Sequence, residues 1–225
     1  SDNMSLFKSL KKIGCVLITV MVLGVSALPV FAATTIEVKH VTDISVSEDN
    51  WWDRGVQYGR ILVLNNQPEE ENNVLLATHC ELNSGLTENA PGYPIYRSTD
   101  NGKTWKVITR VTDTLTGANS EWNPTLFELS KPCGDYPAGT IILAACSIDP
   151  EHNKESHIRL YFSLDGGYTF DQGVVVASAG GLEEGVWEPF LTQLDNGSLV
   201  CFYSDDSDPK HAQTIVYKQS KDGIN

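Results

Sequence analysis

A short turn sequence occurs three times in this chain, and its spacing limits the possible folds more than any other feature. The copies STDNGKTW, SLDGGYTF and SKDGIN contain Asp100, Asp165 and Asp222, which are 65 and 57 residues apart. A repeat of this period indicates a chain built from similar units that stack side by side or around a ring.

Other segments repeat in the same phase as the turn. WNPTLFEL from Trp122 and WEPFLTQL from Trp187 lie 65 residues apart, and YGRILVL from Tyr58 lies 64 residues before the first. Further short runs rich in β-branched and aromatic residues follow each segment, bounded by Gly, Asn, Asp and Pro, as is typical of strands. Four antiparallel strands in about 60 residues indicate a β-propeller blade. We therefore predict an all-β propeller with about three blades in this chain, and a β-sandwich is the weaker alternative.

Residues 1–32 have the composition of a secretory signal peptide preceded by a few extra residues. Three lysines lead into an apolar run from Ile13 to Phe31, and small residues follow, which predicts cleavage after Ala32. An uncleaved membrane anchor is the alternative, because the run is just long enough to span a bilayer. We expect a secreted chain whose residues 33–225 form the N-terminal half of a propeller, since three blades are too few to close a ring.

Charge and cysteine content narrow the range of partners. The net charge of −13 repels phosphate, so we expect neither nucleic acid nor, after signal cleavage, a membrane as partner. No C-x-x-C pair or suitably spaced histidine pair occurs, so we predict no metal site and no cofactor. Cys80, Cys133, Cys146 and Cys201 would be disulfide-bonded or buried as free thiols, and the sequence decides neither this nor the oligomeric state.

Each residue type of the repeated turn has a structural task. The aspartate can accept backbone N–H groups within the turn, and glycine tolerates the positive φ that a tight turn requires. We therefore predict that Asp100 and Asp165 are structural rather than catalytic.

The turn resembles the Asp-box, or bacterial neuraminidase repeat, of the sialidase-like propellers. The longer segments YPIYRSTDNGKTW, AGTIILAACSI and WEPFLTQLDNGSLVCFYSDDSDPKHAQTIVYKQSKDG together resemble glycoside hydrolase family 93, the exo-α-1,5-L-arabinanases, over about residues 58–225. The resemblance implies six blades in the full-length protein and a retaining exo-enzyme that releases arabinobiose from linear arabinan. A sialidase and a non-catalytic carbohydrate-binding propeller are the alternatives, because this fold carries several functions.

Propeller geometry places the starts of the innermost strands around the central axis, where a pocket would form. Arg60 or Gly59, Asn123 and Glu188 occupy these starts, and Asp205 and Asp206 end a second strand on the same side. Glycoside cleavage needs two carboxyl groups. The resemblance implies that Glu188 is one of them and that its partner lies in a later blade, and we favour the acid/base role over the nucleophile for Glu188.

The other candidate residues would bind the polysaccharide substrate. They are Arg60, Asn123, Trp187, Asp205, Asp206 and His211. Trp187 would stack on a sugar or pack in the core, Asp205 would bind sugar hydroxyls or cap a turn, and His211 would line the pocket rim or lie on the surface. Arg60 stands in GRIL instead of the R-I-P of sialidases, which counts against sialic acid as the substrate.

Overall fold

The computed structural model describes residues 39–44, 56–81, 92–149, 152 and 154–225. The predicted signal peptide, residues 1–32, lies outside the described residues. Eleven strands and one short 3₁₀ turn occur in the described ranges, and the strands belong to one compact unit, Val41–Asn225. They are β1 (Val56–Val63), the 3₁₀ turn (Glu69–Glu71), β2 (Leu75–Glu81), β3 (Tyr93–Ser98), β4 (Lys106–Val111), β5 (Ser120–Glu128), β6 (Ile141–Ile148), β7 (Ser156–Ser163), β8 (Val174–Ala179), β9 (Val186–Gln193), β10 (Leu199–Asp205) and β11 (Thr214–Ser220).

The strands form three consecutive antiparallel sheets. Two sheets have four strands in chain order, β1 to β4 and β5 to β8, and the third contains β9, β10 and β11. Each sheet is a simple up-and-down meander, which is the form of a propeller blade. The predicted all-β fold is confirmed, and the described residues supply three blades. None of the helices in the described ranges is long and apolar enough to span a membrane.

The core lies between neighbouring sheets, and β6 explains why. All eight residues of IILAACSI are buried, because successive side chains of a strand point to opposite faces and both faces are covered. Ile141 and Leu143 join residues of the first sheet in one apolar cluster. Ile142 and Ala144 join residues of the third sheet in another.

The repeated turn has the predicted structural role. Asp165 Oδ1 accepts the backbone N–H of Thr169 at 2.9 Å, and its Oδ2 accepts the Thr169 hydroxyl at 2.5 Å. Asp100 makes the same two bonds to Thr104, which lower the pKa of its exposed carboxyl to about 2. Both aspartates are therefore committed to holding a turn.

The four described cysteines are buried free thiols. Burial raises the pKa of the Cys201 thiol to about 12. The sequence left open whether these residues form disulfides, and the structure decides for thiols that behave as small apolar side chains.

A carboxylate near the end of β5 connects the first two sheets. Glu128 is 8% exposed and accepts the backbone N–H groups of Asn65 at 2.8 Å and Asn66 at 3.1 Å. It also accepts the Gln67 side chain at 2.8 Å. Gln193, which is 65 residues later, does the same between the second and third sheets, where it accepts the N–H of Ser130 at 3.0 Å.

Replacing Glu128 by alanine should destabilise the protein by about 2–3 kcal/mol, because the backbone and side-chain donors of residues 65–67 lose a buried, charged acceptor. Glu128→Gln should cost less than half as much, since Gln193 shows that an amide oxygen serves in the same position. Urea unfolding of both variants measures the difference. Equal losses in the two variants would contradict a role based on these hydrogen bonds.

Candidate functional site

The first strand of each sheet contains a β-bulge at the same position. Two residues of the first strand oppose one residue of the second, between Gln57 and Arg60, between Trp122 and Thr125, and between Trp187 and Phe190. The first residue of each bulge has a positive φ: 54° at Tyr58, 49° at Asn123 and 56° at Glu188. These three residues are 65 positions apart in the chain.

A positive φ is uncommon for residues other than glycine and costs free energy. Its recurrence in phase in three blades shows that the bulge is a conserved element of the repeat within this chain. Bulges often redirect a side chain next to an active site. The three bulges therefore mark the residues where blades one, two and three contribute to a common site.

The side chains of the three bulge residues meet. The Tyr58 hydroxyl donates to Glu188 Oε1 at 3.3 Å, although the two residues belong to the first and third sheets. Burial raises the pKa of Tyr58 most, followed by the nearby Glu188 carboxylate, and a hydrogen bond with Asn123 opposes the shift. The phenol thus keeps its proton at neutral pH and remains a donor. Glu188 itself is exposed and Asn123 is 7% exposed.

The predicted position of the first blade's site residue is wrong by one or two residues. Tyr58, and not Gly59 or Arg60, occupies the position that corresponds to Asn123 and Glu188. Arg60 is exposed, its Nη1 donates to the Gly59 carbonyl at 3.0 Å, and it lines a separate shallow cleft that includes Thr42 and Thr78. The regular spacing of 65 residues before Asn123 would have identified Tyr58.

The Trp187 ring packs against other side chains next to the site and is not free to stack on a sugar. It stacks on Trp122 with 5.8 Å between ring centroids, and both rings pack against the apolar cluster between the second and third sheets. Its indole N–H donates to Asp206 Oδ2 at 2.9 Å, while Asp206 Oδ1 is buried and has no hydrogen-bond partner. Packing in the core, the alternative that the sequence left open for Trp187, is what the structure shows.

Asp205 and His211 lie on the same side of the third sheet, at the end of β10 and in the loop that follows it. Asp205 Oδ1 accepts the backbone N–H of Ser207 at 2.9 Å and its hydroxyl at 2.5 Å, so Asp205 caps a turn. His211 is exposed and pairs with Asp208 at 2.9 Å. A role of either residue in substrate binding stays a prediction.

The site combines an exposed carboxylate, a protonated phenol and an amide. This set suits acid–base or nucleophilic chemistry on a neutral, hydroxyl-rich substrate. No cluster of three or more metal-binding side chains occurs in the part of the chain that the structure describes.

Comparison with known proteins gives structures but no family model or curated relative. The chain is 34% identical to the GH93 α-L-arabinofuranosidase of Fusarium graminearum in complex with arabinobiose, with a TM-score of 0.66 over 76% of this chain and 46% of that one. It is 36% identical to an α-L-arabinanase of Penicillium chrysogenum complexed with arabinobiose, with a TM-score of 0.67 over 76% of this chain and 47% of that one.

A more distant structure has the same fold. The endo-arabinase of Bacteroides thetaiotaomicron is 14% identical, with a TM-score of 0.52 over 80% of this chain and 62% of that one. The resemblance to glycoside hydrolase family 93 predicted from the sequence is confirmed. The chain spans about half the length of the two more similar structures.

Proposed function

We propose that this chain, which resembles glycoside hydrolase family 93 in sequence and in fold, contributes Glu188 to the hydrolysis of α-1,5-arabinan. The enzyme would be a retaining exo-hydrolase with a polysaccharide as its substrate. Residues 1–32 would be the signal peptide that directs its secretion. The two similar structures described above were determined in complex with arabinobiose, which supports the choice of sugar.

One observation supports this proposal most. Glu188 is an exposed carboxylate on a strained bulge where three blades meet, and it receives a hydrogen bond from Tyr58. Backbone strain that is maintained in the folded state is concentrated at functional sites. The bulges of the first and third blades bring the Tyr58 hydroxyl and the Glu188 carboxylate together.

The hydrogen bond also bears on the role of Glu188. Glu188 Oε1 accepts a hydrogen bond from the Tyr58 hydroxyl, as an oxygen of an ionised carboxylate does. An ionised carboxylate can attack the anomeric carbon of the sugar, and the second carboxyl group then protonates the departing oxygen. The geometry thus supports the nucleophile for Glu188, although the sequence analysis favoured the acid/base role. We expect the second carboxyl group outside these three sheets.

The proposal is tested with the whole protein that contains this chain, incubated with linear arabinan. We expect release of arabinobiose, and ¹H NMR should show the α-anomer as the first product, because two displacements retain configuration. Binding of arabinan without release of sugar would refute the proposed hydrolase activity and favour a non-catalytic carbohydrate-binding propeller.

Tyr58→Phe should lower kcat/KM on arabinan about 10- to 100-fold. The variant removes one hydrogen bond to a charged group, which contributes about 1.5–3 kcal/mol. Tyr136→Phe removes a hydroxyl at the opposite end of the sheets and is the matched control. Equal rates for wild type and Tyr58→Phe would exclude Tyr58 from the reaction.

A further inference from the structure

A second cleft lies at the opposite end of the sheets from Glu188. It encloses about 430 Å³ between the repeated turns of the first two blades, and its walls include Arg97, Thr104, Trp105, Lys106 and Tyr168. The first strands are 8 or 9 residues long, so the two ends of a sheet are about 25–30 Å apart. Nothing in the proposed reaction at Glu188 uses this cleft.

Two aromatic rings are presented in this cleft. Tyr168 is 45% exposed. Trp105 is partly exposed, and its indole N–H donates to the Gly102 carbonyl at 3.0 Å, which fixes the orientation of the ring. The corresponding residue of the second turn, Phe170, packs instead against the apolar cluster between the first two sheets. Pre-ordered aromatic rings at a surface are suited to stack on a flat apolar face of a ligand.

The polar groups of the cleft are arranged around these rings. Arg97 forms an ion pair with Glu71, and its guanidinium carbon lies 5.6 Å from the centroid of the Tyr168 ring. Its Nε is buried and has no hydrogen-bond partner. The Thr104 hydroxyl donates to Asp100 at 2.7 Å, so its oxygen is left to accept a hydrogen bond from a ligand.

The charges of the cleft are mixed, and the exposed Lys106 is a single positive charge among them. Glu71 compensates Arg97, Asp100 lies behind Thr104, and the chain as a whole carries a net charge of −13. Such a surface repels phosphate and other anions. A neutral ligand with many hydroxyl groups matches both the mixed donors and acceptors and the aromatic rings.

We propose that this cleft is a second glycan-binding site, which holds a neutral oligosaccharide segment against Trp105 and Tyr168. Its volume is within the range of small-ligand sites. The choice of arabinan as ligand rests on the function proposed above. A site at this distance would hold the polymer near the enzyme without occupying the cleavage site.

Affinity electrophoresis in gels containing linear arabinan tests this site with the whole protein. We expect arabinan to retard the wild type, and Tyr168→Ala to weaken the affinity about five- to tenfold, as expected when one stacking ring is lost. Tyr168→Ala is also compared in the Glu188→Gln background, in which the arabinan of the gel should not be hydrolysed during the run. Lys106→Ala removes the hydrogen-bond donor of an exposed side chain that lines the cleft, and it should also weaken the retardation.

Matched controls are available in the same turns. Leu164→Ala removes an exposed apolar side chain of the second turn that does not line the cleft, and Lys103→Ala removes a neighbouring lysine. The site is refuted if arabinan retards Tyr168→Ala and Lys106→Ala as much as the wild type, or if it retards no form. Hydrolysis without Tyr168-dependent retardation refutes only the second site. Such retardation without hydrolysis refutes only the enzyme.

Discussion

Replacing Glu188 by glutamine should reduce the rate of arabinobiose release at least about 10³-fold, with little change in the melting temperature. Glutamine keeps the shape of the side chain but can neither attack a sugar carbon nor exchange a proton. Glu188 is exposed and makes its hydrogen bond to Tyr58 at the surface, so the fold does not depend on its charge. Initial rates with linear arabinan measure the effect.

Glu184→Gln is the matched control, because Glu184 is an exposed glutamate in the loop before β9. A wild-type rate in Glu188→Gln would remove Glu188 from the mechanism. A nitrophenyl glycoside of the released sugar distinguishes the two possible roles. Its leaving group needs no proton, so loss of the acid/base should hardly lower kcat/KM, which reports formation of the glycosyl-enzyme, whereas loss of the nucleophile should lower kcat/KM for both substrates.

The second large effect is expected on stability, at a buried ion pair between the first two sheets. Asp113 follows β4 and pairs with Arg159 of β7, and the two side chains are 1% and 0% exposed. Arg159→Met should destabilise the protein by about 3–5 kcal/mol, because it leaves a buried carboxylate without its counter-ion. Lys154→Met removes an exposed partner of Asp149 and should cost less than about 1 kcal/mol.

The contribution of Asp113 should depend on pH. Burial by itself would raise its pKa, but hydrogen bonds from Arg159, Ser147 and Thr116 outweigh burial and lower the pKa below the ordinary value of 3.8. A carboxyl group with a lowered native pKa stabilises the fold above its unfolded pKa, and this contribution is lost as pH falls. Stability conferred by Asp113 should therefore be complete above about pH 5 and decline below about pH 4.

Urea unfolding at pH 6 and pH 3 checks this dependence. The difference in unfolding free energy between wild type and Asp113→Asn should be large at pH 6 and smaller at pH 3, because at pH 3 the aspartate of the unfolded chain is largely protonated while that of the folded protein stays ionised. A difference that is the same at both values would show that the pair does not titrate as described.

Much of the fold could be predicted because the repeat is local. The turn with Asp100 and its copy with Asp165 are read directly from short segments, and strand alternation follows from apolar runs such as IILAACSI. The Asp113–Arg159 pair could not be predicted, because its partners are 46 residues apart and meet only when two blades pack. The state of the cysteines likewise depends on which strands become neighbours.

The site was predicted in part, and the missing part has a clear physical reason. Asn123 and Glu188 lie at the predicted strand starts, but Tyr58 was overlooked in favour of Arg60. A positive φ is signalled in sequence by glycine or asparagine. Tyrosine and glutamate give no such signal, so the bulges at Tyr58 and Glu188 appear only in the backbone.

The three bulges have the same backbone conformation but carry side chains of different chemistry. Each blade delivers the same backbone conformation to the same place, and the residues there are a phenol, an amide and a carboxylate. The positive φ is maintained by the pairing of the sheet, and it occurs with three different side chains. Single substitutions at these three positions can therefore change ligand binding or catalysis at the site while the fold of the blades stays the same.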